Sequence, residues 1–232
     1  GKLALYAAAI IWGTSFFLVK NQMDVFAPER LLALRFSIAA ALLTLIFFKK
    51  IRTATRSDMW RSAVLGVLLA VAGLMQTIGI TDTTPGKNAF LTAIYCVIVP
   101  FLFWAVKRTR PATKSFFAAI LGFIGIGLIS LTKDLTVGFG DALTLLSGVL
   151  YAVHIVGIAT LGKDVDPVRS IVFQLATCAL IFWTVDFMTP AQPVSARMAS
   201  AAAGVQMSPL AMTGTRTAAT IRRMAARSAQ PA

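Results

Sequence analysis

The sequence predicts an all-α fold, a polytopic bundle of about seven transmembrane helices. Three observations predict it. Hydrophobic residues make up 57% of the 232-residue chain and charged residues 13%, about half the charged share of a soluble globular domain. Seven mostly apolar segments approach the ~20 residues that a helix needs to cross the hydrocarbon core. Basic residues cluster in alternate loops between those segments. A water-soluble globular enzyme fits this composition poorly, and disorder is excluded over most of the chain. The segments are continuously apolar and lack the period-two alternation of barrel strands.

The elements follow in order. Residues 3–19 are uncharged; with no basic leader and no A-x-A cleavage site they read as a retained helix. Residues 31–48 carry one charge, Arg35. Residues 62–80, 89–106 and 115–132 are uncharged, 142–162 contain only His154, and the short segment 170–185 ends before Asp186. Cys96 and Cys178 both fall inside apolar segments and read as small hydrophobes, not as a disulfide or a metal site.

The formal charge of +13 reads as a topology signal, not a nucleic-acid footprint. Nine basic residues (Lys49, Lys50, Arg52, Arg56, Arg61, Lys107, Arg108, Arg110 and Lys114) lie in two loops, against four (Lys20, Arg30, Lys87 and Lys133) in the alternate ones. The positive-inside rule places the nine in the cytoplasm, and the N-terminus with them, in a bacterial-type inner membrane.

The chain also matches itself weakly at an offset of 139 residues, which sets Trp12 on Tyr151, Pro28 on Pro167, Arg30 on Arg169 and Arg35 on Gln174. Five helices lie within one offset, so the second copy must be inverted. Inverted repeats are a mark of secondary transporters, with the solute site near the midplane between halves. The expected organisation is a first repeat over residues 1–138, the start of a second over 139–188, and a tail over 189–232. That tail has five arginines, no lysine, no acid and no aromatic residue. Three readings of it stand open: an out-of-frame translation, a disordered basic tail, and a marginal eighth helix. With seven helices, an arginine-rich tail on the outside contradicts the positive-inside rule.

The polar residues within the apolar segments are the candidate site. Arg35 is the only formal charge in those segments; as a clamp for a carboxylate, a gate partner or a snorkelled structural arginine, it is costly at the membrane centre, by ~2.5–3.5 kcal/mol. His154 suits a proton relay or an interhelical hydrogen bond. Gln76 lies in the third span, and Asn88, Thr92 and Tyr95 are spaced to share one face of the fourth. Trp12, Thr14 and Ser15 in the first span, Tyr151 in the sixth and Gln174 in the seventh complete the set of substrate-binding candidates. Gly13, Gly122, Gly125 and Gly127 read as sites of close helix approach, and Pro100 as a kink in the fourth span. There is no P-loop, no H-E-x-x-H and no C-x-x-C. No catalytic residue, metal or cofactor is expected.

Several motifs stand together in order. Trp12-Gly13-Thr14-Ser15-Phe16, Pro28 followed by Arg35, the stretch from Thr84 to Thr92 followed by Pro100, Gly122 and Gly125, and Gly140-Asp141, Ser147 and Tyr151-Ala152 resemble the drug/metabolite transporter superfamily, EamA type. The resemblance covers residues 1 to about 185. It implies ten helices in two inverted repeats, both termini cytoplasmic, and movement of small polar metabolites, often amino acids, by alternating access. This chain departs from that pattern by lacking recognisable helices eight to ten. The expected partners are the bilayer and a small metabolite, without nucleic acid; a homo-oligomer that rebuilds a cavity is one further option, and a non-transporting membrane fragment or a basic-tailed anchor are the rival functions.

Overall fold

The computed structural model describes residues 2–22, 26–108, 110–130 and 138–189. The tail readings and the basic residue Lys133 fall wholly or partly outside these residues. Within them every regular element is a helix: α1 (Lys2–Gln22), α2 (Pro28–Ile46), α3 (Phe48–Ile51), α4 (Arg56–Gly79), α5 (Pro85–Thr92), α6 (Tyr95–Lys107), α7 (Thr113–Ser130), α8 (Phe139–Thr160) and α9 (Pro167–Met188).

The helix boundaries have local causes. Pro28, Pro85 and Pro167 each stand in the first turn of their helices, where the missing N–H costs nothing. Thr55 and Asp58 form a reciprocal capping box at the start of α4, and the Asp166 carboxylate accepts from the N–H groups of Val168 and Arg169 at the start of α9. Inside the apolar helices, hydroxyls satisfy themselves on their own backbone: Thr14 Oγ1 donates to the carbonyls of Ile10 and Ile11.

Four of the described helical segments are long and apolar enough to cross a membrane: Arg56–Gly79, Pro85–Lys107, Phe139–Thr160 and Pro167–Met188. The other three expected spans coincide with α1, α2 and α7. The second span begins earlier than its apolarity implies. Glu29 and Arg30 belong to α2 and not to the preceding loop, because Pro28 starts the helix and the two charges lie in its first turn.

The fourth span is broken. Its interruption lies at Ala93–Ile94, and Pro100 lies within α6. At the break the N–H groups of Ile94, Cys96 and Val97 reach carbonyls three residues back, a local tightening to 3₁₀ geometry. Gly148 of α8 sits against this point. A Cβ there would lie 3.0 Å from the Thr92 carbonyl oxygen and overlap Ile94 Cγ2.

α4 packs against α8 and α9, and α9 against α2. Leu32, Ala33, Ala70, Cys178 and Phe182 form the buried centre of that arrangement, with Phe36 and Phe182 rings 5.4 Å apart. Small residues permit the close approaches: a Cβ on Gly66 would lie 2.9 Å from the Gln174 carbonyl oxygen, and one on Gly79 2.8 Å from that of Gly140. Gly122 and Gly125 approach Val97 and Phe90 in the same way, whereas nothing among the described residues lies within 4 Å of a Cβ on Gly13. Outward faces carry Ile10, Ile11, Leu45, Leu121, Leu180 and many other exposed large apolar side chains, as a lipid-embedded bundle requires.

Candidate functional site

A cavity of about 220 Å³ lies among α1, α2, α4, α5 and α8. Trp12, Ser15 and Phe16 of α1, Leu32, Arg35 and Phe36 of α2, Leu69, Gln76 and Thr77 of α4, Asn88 of α5 and Tyr151 of α8 are among its lining. Arg35 is the one charged side chain among the described residues that line it. It is the eighth residue of α2, about 10 Å along the helix from Pro28 and about 16 Å from Ile46 at 1.5 Å per residue.

A directed chain of hydrogen bonds runs along one wall. The Tyr151 hydroxyl donates to Gln76 Oε1 over 3.2 Å, Gln76 Nε2 donates to Thr92 Oγ1 over 2.9 Å, and Thr92 Oγ1 donates to the Asn88 carbonyl over 2.8 Å. Asn88 is fully buried; its Nδ2 donates to the Gln76 carbonyl and to Thr144 Oγ1. A carbonyl can only accept, which fixes the amide orientation. Asn88 Oδ1 is then left buried without a partner.

Trp12 borders a second cavity of about 290 Å³, lined also by Ala9, Phe16, Thr92 and Tyr95. The expected stripe is divided between the two cavities: Asn88 lines the first, Thr92 and Tyr95 the second. Thr14 is exposed and bonded to its own helix, and lines neither. His154 and Gln174 lie apart from both cavities and are buried against each other. His154 Nε2 and Gln174 Oε1 are 2.7 Å apart, and Gln174 Nε2 donates to Ser170 Oγ over 2.8 Å.

Each end of the bundle is tied by polar contacts that sequence spacing alone did not single out. At one end Lys20 Nζ donates to the carbonyls of Ile80, Thr81 and Thr83. Beside it the Lys87 ammonium meets Asp141 at 2.6 Å, and Arg30 meets Asp186 at 3.1 Å. At the other end Arg169 donates to Asp58, Thr53 Oγ1 and the Lys50 carbonyl, while Lys50 pairs with Asp166 and Arg61 with Asp164. Among the described residues no group of acidic, histidine and cysteine side chains is arranged to hold a metal ion.

The family described as "EamA-like transporter family" matches residues 1–131. A protein of Archaeoglobus fulgidus named "Uncharacterized transporter" is 26% identical over 165 residues, covering 71% of this chain and 51% of its own length. Two Bacillus subtilis proteins are also similar. "Uncharacterized transporter YyaM" is 25% identical over 83% of the chain and 66% of its own length. "Uncharacterized transporter YvbV" is 23% identical over 80% of the chain and 64% of its own length. The chain thus spans between about half and two thirds of the length of these relatives. No solved structure matches it.

Proposed function

The chain belongs to the EamA-like transporter family, and from that premise we propose that it forms the solute-binding part of an inner-membrane secondary transporter. The solute is a small polar or amphipathic metabolite, moved by alternating access and not chemically altered. The observation that carries this reading is the cavity among α1, α2, α4, α5 and α8, whose wall combines aromatic and aliphatic surface with Arg35, Gln76, Asn88 and Tyr151. Apolar pockets with a few convergent polar groups are the usual form of small-molecule sites.

Alternating access needs two closures that open in turn. The Lys20, Lys87–Asp141 and Arg30–Asp186 contacts form one closure, and the Arg169–Asp58, Lys50–Asp166 and Arg61–Asp164 contacts the other. The second closure lies at the end rich in lysine and arginine, which the positive-inside rule assigns to the cytoplasm together with the N-terminus. Repeats over residues 1–138 and 139–188 supply the two bodies that rock. In this proposal His154 and Gln174 fasten α8 to α9 and stay away from the solute.

The test is solute counterflow in proteoliposomes carrying the full 232-residue chain and preloaded with mixed metabolites. Saturable exchange above that of empty vesicles supports the proposal. Exchange equal to that of empty vesicles contradicts it for this chain.

A further inference from the structure

We propose that the seam between α6 and α7 holds one anionic glycerophospholipid, with its phosphate on the basic loop that joins the two helices and an acyl chain in the groove beside that loop. The site is distinct from the cavity among α1, α2, α4, α5 and α8, and it does not depend on what the solute is.

The groove comes from small residues. Near the loop, the rings of Phe101 and Phe116 hold α6 to α7 edge-on, with centroids 5.2 Å apart. Further along, Gly122 lies against Val97 and Gly125 against Phe90. Between these contacts Ala118, Ala119 and Gly122 carry too little side chain to fill the seam, and a cavity of about 370 Å³ remains. Phe90, Val97 and Pro100 complete its mainly apolar wall, and Ser115 lines the end next to the loop. From Ser115 to Gly122 the seam runs about 10 Å along the helix. Ala118 is exposed, so the groove opens at the surface. Phe117 and Leu121 of the same helix are 70% and 73% exposed, an apolar surface suited to lipid tails.

The loop supplies the charge. Lys107, Arg108, Arg110 and Lys114 are all exposed, and none forms an ion pair among the described residues. Residues 83–133 contain no acidic residue at all. The other basic loop differs, because carboxylates answer part of its charge: Lys50 meets Asp166, and Arg61 meets Asp164. Trp104, 37% exposed, stands one turn before Arg108, and an exposed indole of this kind favours the headgroup level. Cations clustered beside a span attract anionic headgroups. A free anion would use the loop and leave the groove empty; a glycerophospholipid fills both.

The full 232-residue chain in detergent is offered equal amounts of phosphatidylglycerol and phosphatidylcholine with the same chains, and retained lipid is counted by native mass spectrometry. Phosphatidylglycerol is expected to be retained at least about fivefold more, the effect of one cation near the headgroups. Replacing Lys107, Arg110 and Lys114 together by Gln should remove that preference. Replacing Arg52 and Arg56 by Gln in the other basic loop should leave it. Ala118→Phe, which fills the groove, should lower retention of both lipids. Glycerol phosphate, the headgroup without chains, should not displace the lipid. Helical circular dichroism and a single size-exclusion peak establish that each variant is folded. Equal retention of the two lipids, or a preference that survives the triple replacement, overturns the headgroup site. A preference lost equally in the Arg52 and Arg56 replacement reduces it to general surface charge and overturns the assignment to this loop. Unchanged retention in Ala118→Phe overturns the groove, and displacement by glycerol phosphate makes the site one for a free anion.

Discussion

Arg30 and Arg169 hold the same place on two antiparallel helices. Each is the third residue of a helix that begins with proline, and each reaches the far end of the other's helix: Arg30 to Asp186 near the end of α9, Arg169 to the Lys50 carbonyl and Thr53 beyond the end of α2. The 139-residue offset seen in the sequence thus has a structural counterpart in this pair of helices. The two contacts differ in strength, however. Arg30 is 43% exposed and makes one ion pair, while Arg169 is 24% exposed and makes three side-chain bonds.

That difference sets the first prediction. Arg30→Ala should cost about 1–2 kcal/mol: Arg30 itself is well exposed, but the Asp186 carboxylate it leaves is only 9% exposed. Arg169→Ala should cost about 1.5–3 kcal/mol, because partly buried acceptors lose a charged donor. Thermal unfolding of the chain in detergent checks it; Arg169→Ala should have the lower Tm, and equal values would count against unequal closures.

Lys87 and Asp141 are 15% and 6% exposed and form the shortest ion pair among the described residues, joining α5 to α8. Removing one partner leaves a charge in a poorly solvated place, at a cost of about 3–5 kcal/mol. Lys87→Met or Asp141→Leu alone should therefore destabilise far more than the two together. A double-mutant cycle on thermal stability gives the coupling; additive effects would mean that water reaches both groups.

Close packing makes a third prediction. Alanine at Gly79 would place a Cβ 2.5 Å from Thr144 Oγ1, and at Gly140 2.6 Å from the Gly79 carbonyl oxygen, so α4 and α8 must move apart. Overpacking of this kind costs about 1–3 kcal/mol. Gly79→Ala and Gly140→Ala should lower the yield of monodisperse protein, whereas Gly13→Ala and Gly86→Ala meet nothing among the described residues and should not. Size-exclusion profiles of the four variants decide the matter.

The loop between α8 and α9 carries a pH response. The Asp166 carboxyl is held below the usual carboxylate range, first by the hydrogen bond from Lys50 and then by the N–H groups of Arg169 and Val168, against a smaller opposing effect of burial. A carboxyl with a depressed folded pKa contributes stability that is present above its unfolded value of about 3.9. That stability is lost as pH falls through the folded value. Tm should therefore drop on acidification below about pH 4, and Lys50→Ala should make the drop shallower. A drop of the same depth in Lys50→Ala would contradict the assignment to this pair.

Much of the fold was legible because membrane spans are written as length and continuous apolarity. What was not legible came from contacts. Asn88, Thr92 and Tyr95 are spaced to share one helix face, but that face meets two cavities, Asn88 the first and Thr92 and Tyr95 the second, which only the packing of the neighbouring helices decides. His154 and Gln174 each looked like a lone polar residue, since nothing in a sequence marks two side chains 20 residues apart as partners. The charges Glu29 and Arg30 disguised the first turn of α2 as loop. Thr77 also lines the cavity beside Gln76 and was not among the substrate-binding candidates.

The central claim is that the cavity among α1, α2, α4, α5 and α8 is a solute site reached from water. Ser15 lines it, and Leu180 of α9 is 71% exposed on the outer surface of the bundle. In a Cys96→Ser background, Ser15→Cys and Leu180→Cys are treated with a charged, membrane-impermeant maleimide in proteoliposomes. The account predicts that Ser15→Cys is labelled, that a bound solute slows the labelling, and that Leu180→Cys in lipid stays unlabelled. An inert Ser15→Cys, or labelling that no solute slows, would contradict it.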